Sequence, residues 1–288
     1  GMVVFVRGAV PGDTVDAKIT RKKKDYAEAY MRELIEPSPD RIEPRCEHFQ
    51  HCGGCKLQNY PYELQLTAKE QQVRDCLERI AGLPEPPLEA IAGMEHPWEY
   101  RNKMEYTFSA FREGRLKLGL HVPGAFDRII NIDRCHLQTP QCDDLRNSVR
   151  QFCNARELTH HEIKKHSGEM RNLVIRTARS GVMACIVSHT EAFGEHTDDL
   201  VDMIRTDFPF VTSLSWYINP SLSGVAIAGE RKLLSGDTFI TETISGLDLR
   251  ISPASFCQTN TFQAETLYSI AEEFCALEGG EAVYDIYT

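Results

Sequence analysis

Hydrophobic and polar positions alternate in short runs along the beginning of the chain. The runs at 3–6, 14–20 and 26–30 carry apolar residues at every second position or in small blocks, and a Pro-Gly-Asp turn at 11–13 separates the first two. A period of two is typical of β-strands that bury one face. The pattern predicts a tight β-meander over residues 2–36, which fits a small barrel of the OB type.

A helical period follows. The proline-rich stretch 37–45 is a linker, and Asn59 ahead of Pro61 is a favourable helix start. Apolar residues of the next segment, namely Leu66, Val73, Leu77 and Ile80, fall on one helical face. We therefore expect a helix that packs this face inward and ends near Gly82.

The period returns to two from Glu99 onward. Met104, Tyr106 and Phe108 alternate with polar residues, and positions 116–122 alternate back after a Glu-Gly turn. Further helices are predicted at 140–152 and 200–208, and further strands at 173–177, 182–188 and 211–218. The central region is therefore predicted to be an antiparallel α+β domain.

The last forty residues have a different pattern. A polar turn at 255–260 precedes a helix that Asn260 or Thr261 caps, and a hydrophobic run at 282–287 contains Asp285 near its end. A helix followed by a buried strand with an acid at its carboxyl end is typical of the opening of a doubly wound, Rossmann-like nucleotide-binding fold.

Composition narrows the class of protein. The chain has 288 residues, 42% hydrophobic and 26% charged, which is ordinary for a soluble globular protein. Neither a signal peptide nor an apolar run long enough to span a membrane is present, so we expect a cytoplasmic protein, which argues against a disulfide framework. The formal net charge of −10 argues against a uniformly basic nucleic-acid-binding surface. A local basic face remains compatible with it, and Lys22 and Lys23 beside Tyr26 form one candidate for contact with RNA.

The strongest chemical signal is the segment C-E-H-F-Q-H-C-G-G-C. It places Cys46, Cys52 and Cys55 within ten residues, and the two glycines allow the backbone to turn tightly. Three thiols with a distant fourth suit an iron–sulfur cluster held by four thiolates. The candidate for the fourth ligand is Cys135, and Cys142 is the second choice.

Two alternatives remain open on spacing alone. The same cysteines could bind structural zinc together with His48 or His51, which would fit a non-catalytic zinc-binding module that contacts RNA. Two of them could instead form a disulfide. The other cysteines lie in apolar patterns and are interpreted as small core residues.

The ordered motifs resemble those of the RNA uracil-C5 methyltransferases, the enzymes that make 5-methyluridine. The cysteine segment followed by K-x-Q is similar to that family's cluster loop, and I-D-x-C-x-L is similar to the segment with the fourth ligand. V-F-V-x-G-A-V-P-G-D-x-V resembles its TRAM domain, while S-F-x-Q-T-N and V-Y-D-I-Y-T resemble the approach to its cofactor. The resemblance covers essentially the full chain.

The resemblance implies a chemistry and a set of residues. Such enzymes methylate uracil C5 with S-adenosyl-L-methionine, using a cysteine that attacks C6 and a glutamate base, on a base that is flipped out or single-stranded. It implies a 4Fe-4S cluster on Cys46, Cys52, Cys55 and Cys135. It also implies cofactor contacts at Gln258, Tyr287 and Asp285, and RNA contacts at Arg101, Lys103 and Phe256.

The resemblance also implies how the chain is divided. We expect a partial TRAM domain at 1–37, a cluster loop and helix at 38–92, an α+β RNA-binding domain at 93–247, and the start of a methyltransferase domain at 248–288. The catalytic cysteine and glutamate are expected beyond Thr288, so this chain alone should be inactive. Large-subunit ribosomal RNA is the expected substrate, and a monomer is the expected state.

A radical S-adenosylmethionine enzyme is a weaker rival. Such enzymes have C-x3-C-x2-C spacing and carry a TRAM domain after the catalytic core. Here the first spacing is five residues and the TRAM-like segment comes first.

Overall fold

The computed structural model describes residues 2–286 and contains two compact units. Unit 1 is made of Gly1–Pro97 and Leu120–His136, and unit 2 is made of Trp98–Gly119 and Leu137–Thr288. Tyr287, a predicted cofactor contact, lies outside the described residues. The four-part domain division stays a prediction.

Unit 1 begins with a three-stranded sheet. Its strands are β1 (Val3–Arg7), β2 (Thr14–Lys22) and β3 (Tyr26–Glu36), in the order β1-β3-β2. The β2–β3 hairpin is antiparallel as predicted, but β1 pairs with β3 in parallel. The predicted meander is therefore wrong at β1. The chain crosses from one edge of β3 to the other between β1 and β2, a long-range pairing that strand periodicity does not reveal.

One buried ion pair ties the turn after β1 to the linker that follows β3. Both carboxylate oxygens of Asp13 accept hydrogen bonds, from the backbone N–H of Val10 at 2.7 Å and of Ser38 at 3.0 Å and from the Arg41 guanidinium at 2.5 and 3.1 Å. Arg41 also donates to the Gly8 carbonyl at 3.0 Å. The Asp13 side chain is completely buried. The Arg41 hydrogen bond lowers the pKa of Asp13 well below its ordinary value, and the two backbone N–H groups lower it further against the opposing effect of burial.

The helix α1 (Tyr62–Asp75) forms where it was predicted, but no residue of it is buried. A π-helical turn, Cys76–Ile80, continues it. A π turn is wider than an α turn, so it rotates the later positions away from the predicted face. Ile80 is 83% exposed, and Val73, which precedes the π turn, is already 51% exposed, so the predicted inward-facing stripe is wrong.

A mixed sheet is the main feature of unit 2. Its strand order is β10-β9-β8-β7-β4-β5, and β6 comes next to β5. The strands are β4 (Lys103–Ala110), β5 (Leu116–Val122), β6 (Ala125–Asn131), β7 (Met170–Ala178), β8 (Gly181–Ser188), β9 (Val211–Ile218) and β10 (Glu230–Gly236). The chain passes from unit 2 into unit 1 within β5, and β6 belongs to unit 1. A separate hairpin joins β11 (Ile240–Ile244) to β12 (Leu247–Ile251).

Three helices complete unit 2, namely α2 (Pro140–Ala155), α3 (Thr197–Asp207) and α4 (Thr261–Cys275). The apolar positions Leu145, Val149 and Phe152 of the predicted helix are buried in α2. Met104, Tyr106 and Phe108 of β4 are buried as their alternation predicted. The antiparallel prediction is wrong for one pair, since β8 and β9 are parallel. Their connection contains α3, and a helical crossover of this kind joins parallel strands.

The strand predicted at 282–287 does not form over 282–286, the part of it that the structure describes. This segment has no regular structure, and its apolar side chains are exposed, with Ile286 at 93%. A buried strand needs neighbouring strands to satisfy its backbone groups, and within residues 2–286 none pairs with this segment. Among the described helices, none has the length and apolar character needed to cross a bilayer.

We expect Asp13→Asn to destabilise the protein by about 3 kcal/mol, because the Arg41 charge would remain without its buried counter-ion. Because its pKa is lowered by folding, Asp13 stabilises the protein fully above the pKa of an unfolded Asp, about 3.9, and loses this contribution as the pH falls towards the folded-state value. Urea unfolding at several pH values would measure both effects.

Glu113→Gln is the matched control for this experiment. Glu113 lies 3.8 Å from Arg115, and both side chains are mostly exposed. The expected cost is below about 1 kcal/mol. If both variants lost the same free energy of unfolding, the buried ion pair would stabilise the protein no more than an exposed one.

Candidate functional site

The cysteine loop of unit 1 is a series of tight turns. The Phe49 N–H donates to the Cys46 carbonyl at 3.0 Å, and the Cys52 N–H donates to the His48 carbonyl at 2.9 Å. The Gly53 N–H donates to the His121 carbonyl at 2.9 Å, and a Cβ at position 53 would lie 2.9 Å from that same oxygen. The close approach of these two backbone segments therefore explains why the sequence has glycine here.

The Cys52 thiol is affected by burial and by the other two thiols of this loop. Burial raises the pKa of Cys52, and the charges of Cys55 and Cys46 raise it further, while a hydrogen bond from the Gly54 N–H to Cys52 Sγ at 3.3 Å opposes the rise. Such coupling requires thiols that are close together. A bound metal would replace the proton and neutralise the repulsion between the thiolates.

The fourth ligand was predicted at Cys135, which lies after β6 in the same unit and is buried. The second choice, Cys142, belongs to unit 2, where it is buried in the first turn of α2 and its Sγ accepts a hydrogen bond from Thr139 Oγ1 at 3.5 Å. The donor chemistry of the loop thus fits an iron–sulfur cluster. Across residues 2–286, however, no three His, Cys, Asp or Glu side chains converge on a single metal-binding point.

Lys22 and Lys23 lie at the end of β2 and in the turn to β3, and both side chains are exposed. They can reach a phosphate from this position. Their proposed contact with RNA stays a prediction.

The second candidate region is the segment 252–261 of unit 2. Arg176 of β7 is almost fully buried, and its Nη1 donates to the carbonyls of Ser252, Pro253 and Ser255 at 2.8, 3.1 and 2.7 Å. One guanidinium thus satisfies three carbonyls of a segment that has no helix or strand partners of its own. Sequence analysis missed Arg176, because its partners are 76 to 79 residues away in the chain.

Asn102 holds the other end of this segment. Its N–H donates to the Thr259 carbonyl at 2.8 Å, and its side-chain amide donates to the Gln258 carbonyl at 2.7 Å and to Thr261 Oγ1 at 3.1 Å. Thr261 Oγ1 in turn donates to the buried carboxylate of Glu242 at 3.0 Å. Asn102 was missed although its neighbours in the Y-R-N-K motif were singled out.

These contacts bring four predicted residues into one region. Phe256, which is 86% exposed, and Gln258 point to solvent on either side of half-buried Cys257, which packs on the core of unit 2. Arg101 precedes β4, Lys103 is its first residue, and both are half-buried. Arg101 Nε donates to the Lys103 carbonyl at 3.2 Å. Lys103 Nζ contacts Glu105 at 2.7 Å. The geometry leaves an exposed aromatic ring and an exposed amide on a hydrogen-bonded segment, in the same unit as two half-buried cations that already have partners.

Asp285 lies in the exposed, irregular segment after α4, whereas Phe256 and Gln258 precede this helix. Its predicted cofactor contact stays a prediction.

Four cysteines of unit 2 are unsuited to nucleophilic attack. Burial raises the pKa of Cys153 and of Cys185 to about 12, and it also raises the pKa of Cys142 and Cys257. A thiol attacks as its thiolate, so these groups are poorly reactive at neutral pH. This agrees with the interpretation of Cys257 as a packing residue.

Known proteins similar to this chain come from bacteria and archaea. No protein-family model matches it. RNA methyltransferases of Porphyromonas gingivalis and Bacteroides thetaiotaomicron are each 37% identical to it over the whole chain, which covers 66% and 67% of their lengths. A solved structure, the Pyrococcus abyssi tRNA (uracil-54, C5)-methyltransferase in complex with S-adenosyl-L-homocysteine, matches with a TM-score of 0.72 and 25% identity, over 96% of this chain and 61% of that one.

These similarities place the chain among the RNA methyltransferases. The chain belongs to the same family as its relatives from P. gingivalis and B. thetaiotaomicron. It spans about two thirds of their length.

We expect Arg176→Met to loosen the segment 252–261, because three buried carbonyls would lose their donor. Backbone amide hydrogen exchange should increase in this segment at least tenfold more than elsewhere in unit 2. Arg176→Lys, which keeps the charge but loses the planar fork, should give an intermediate increase.

Arg179→Gln is the matched control. Arg179 is about half exposed and contacts Glu242 and Glu265 at 3.7 and 3.2 Å. Its loss should change the exchange of the segment little. If both variants gave the same exchange pattern, Arg176 would not be what holds the segment.

Proposed function

We propose that the whole protein is an S-adenosyl-L-methionine-dependent RNA methyltransferase that acts on uracil C5. The single observation that carries this is the segment 252–261, whose sequence resembles the approach to the cofactor and which Arg176 and Asn102 hold rigidly. The similar P. abyssi protein is a tRNA (uracil-54, C5)-methyltransferase, which supports the uracil C5 specificity. Its bound S-adenosyl-L-homocysteine is the product that S-adenosyl-L-methionine leaves after giving up its methyl group.

The residues of this chain would serve binding and orientation. Gln258 would contact the cofactor and Phe256 would border the target base, since both are exposed on a segment with a fixed backbone. Arg101 and Lys103 would contact the RNA backbone beside them. A flipped-out base has to be held in a defined position, and exposed side chains on a segment that is anchored by hydrogen bonds at both ends could provide this.

The cysteine loop would hold a 4Fe-4S cluster on Cys46, Cys52, Cys55 and Cys135. Support comes from the effect of Cys55 and Cys46 on the pKa of Cys52, from the glycine that the close contact at position 53 requires, and from the location of Cys135 in the same unit. The role that we propose for the cluster is structural, in fixing the loop for RNA docking.

The proposed substrate is large-subunit ribosomal RNA. The P. abyssi enzyme acts on transfer RNA, so transfer RNA is the second candidate substrate. The assay should therefore include both, each labelled with tritium at uracil C5. Methylation replaces the C5 hydrogen, so a correct substrate releases tritium to water in amounts equal to the methyl groups transferred.

With the whole protein, we expect Gln258→Ala to raise the KM for S-adenosyl-L-methionine about tenfold, equivalent to the loss of one hydrogen bond to the cofactor. Its turnover number should change less. Gln71→Ala is the control, because Gln71 is an exposed glutamine of α1 that binds only Asp75 nearby at 2.9 Å. Absence of tritium release from every RNA tested would contradict the proposed reaction.

Anaerobic purification followed by visible absorption and by iron, sulfide and zinc analysis tests the cluster. We expect a brown protein with about four irons per chain. The cluster should be lost in Cys135→Ala and kept in Cys142→Ala. Stoichiometric zinc in a colourless protein would favour the non-catalytic zinc module instead.

A further inference from the structure

A cavity of about 530 Å³ lies beside the cysteine loop, entirely within unit 1. Its walls come from the end of β1, from β3 and from the loop residues 49–57, with Pro123 at one side. The volume is in the range of about 300–1,000 Å³ that is common for small-ligand pockets. It is separate from the segment 252–261, which belongs to the other unit.

The side chains of this cavity combine flat apolar groups with cations. Tyr30, Met31 and Phe49 provide the apolar surface, and Arg7 and Lys56 are exposed cations at the lining. Among the described residues that line the cavity, none is Asp or Glu. The whole chain has 42 acidic against 32 basic residues, so this local composition is the reverse of the average surface. The charge is complementary to phosphate.

The backbone around the cavity is fixed before any ligand binds. Gly8 has a φ of +92°, and its carbonyl accepts hydrogen bonds from Arg41 at 3.0 Å and from the buried Asn59 at 3.2 Å. Gln50, whose side-chain nitrogen would lie 3.7 Å from a Cβ at Gly8, also has a positive φ of 70°. A wall that is already ordered loses little conformational entropy on binding.

We propose that this cavity binds one unstacked nucleotide of the RNA, outside the nucleotide that is methylated. The base would lie against Tyr30 and Phe49, and Arg7 and Lys56 would contact its phosphates. Single-stranded RNA is recognised in this way, by aromatic stacking together with cationic contacts to the backbone. The proposal rests on the proposed function only in taking RNA as the partner.

Two cysteines of the loop would be covered by a nucleotide in this cavity. Cys52 and Cys55 line the same cavity. A nucleotide bound there would cover two of the thiols that are proposed to hold the cluster. RNA binding would therefore shield these thiols from small reagents in the solvent.

Thiol alkylation in the metal-free, reduced full chain tests the proposal. Iodoacetamide modification of each cysteine is followed by mass spectrometry, with and without a single-stranded RNA oligonucleotide at saturating concentration. We expect RNA to slow the modification of Cys52 and Cys55 about tenfold. The exposed thiols Cys76 and Cys275 are internal controls and should be unaffected. Inorganic phosphate alone should not protect.

Variants of residues that line the cavity test whether RNA protects Cys52 and Cys55 by binding there. Tyr30→Ala and Lys56→Gln should each weaken RNA binding, measured by fluorescence anisotropy, about tenfold and should reduce the protection. Tyr30→Phe, which keeps the ring, should retain both. Lys69→Gln removes the same charge from an exposed position of α1 outside the cavity and should change neither.

The results of these experiments distinguish failure of the nucleotide pocket from failure of the proposed methyltransferase function. RNA that binds without protecting Cys52 and Cys55, or that binds Tyr30→Ala as well as the unmodified chain, would overturn the nucleotide pocket and leave the methyltransferase proposal intact. If the chain as purified, before any metal is removed, bound no RNA at all, both would fail. Protection that rose with protein concentration in the absence of RNA would assign the cavity to a second copy of the chain and overturn the proposal.

Discussion

Backbone carbonyls in irregular segments need donors, and arginine side chains supply several of them in this protein. Arg41 donates to the Gly8 carbonyl, Arg176 to three carbonyls of the segment 252–261, and Arg171 to the carbonyls of residues 219, 221 and 223. A carbonyl left without a donor would cost about 1–3 kcal/mol. Guanidinium suits the task because it is planar, permanently charged and has five N–H groups. In the segment 252–261, Arg176 thus does at one end what Asn102 does at the other.

The sequence was most informative where a single element determines its own structure. The alternation of β4, the apolar face of α2 and the cap of α4 by Asn260 all follow from local pattern, and the structure has each of them. Pairing depends on distant segments and was less predictable. The parallel pairing of β1 with β3 and of β8 with β9 leaves no mark in the alternation of the strands themselves.

The candidate sites divide in the same way. The cysteine spacing and the S-F-x-Q-T-N motif are local, and they could be recognised directly. The residues that hold these segments are not local, since Arg176 is separated by more than seventy residues from the carbonyls that it binds. Nor could the sequence reveal a cavity with basic lining in an acidic chain, because its walls come from separate stretches of unit 1. Net charge describes the whole surface, whereas an RNA phosphate responds to the charges within about 10 Å of it.

Unit 1 is discontinuous in the chain, because residues 98–119 of unit 2 are inserted between its two parts. The His121 carbonyl that accepts the Gly53 hydrogen bond comes from the second part, as does Cys135. A fragment that ended at Pro97 would therefore contain three cysteines of the loop but not the backbone against which Gly53 closes. The cysteine loop is accordingly not a module that could be transplanted or expressed as one contiguous piece, and gene fusions or deletions in this protein must keep both parts of the unit together.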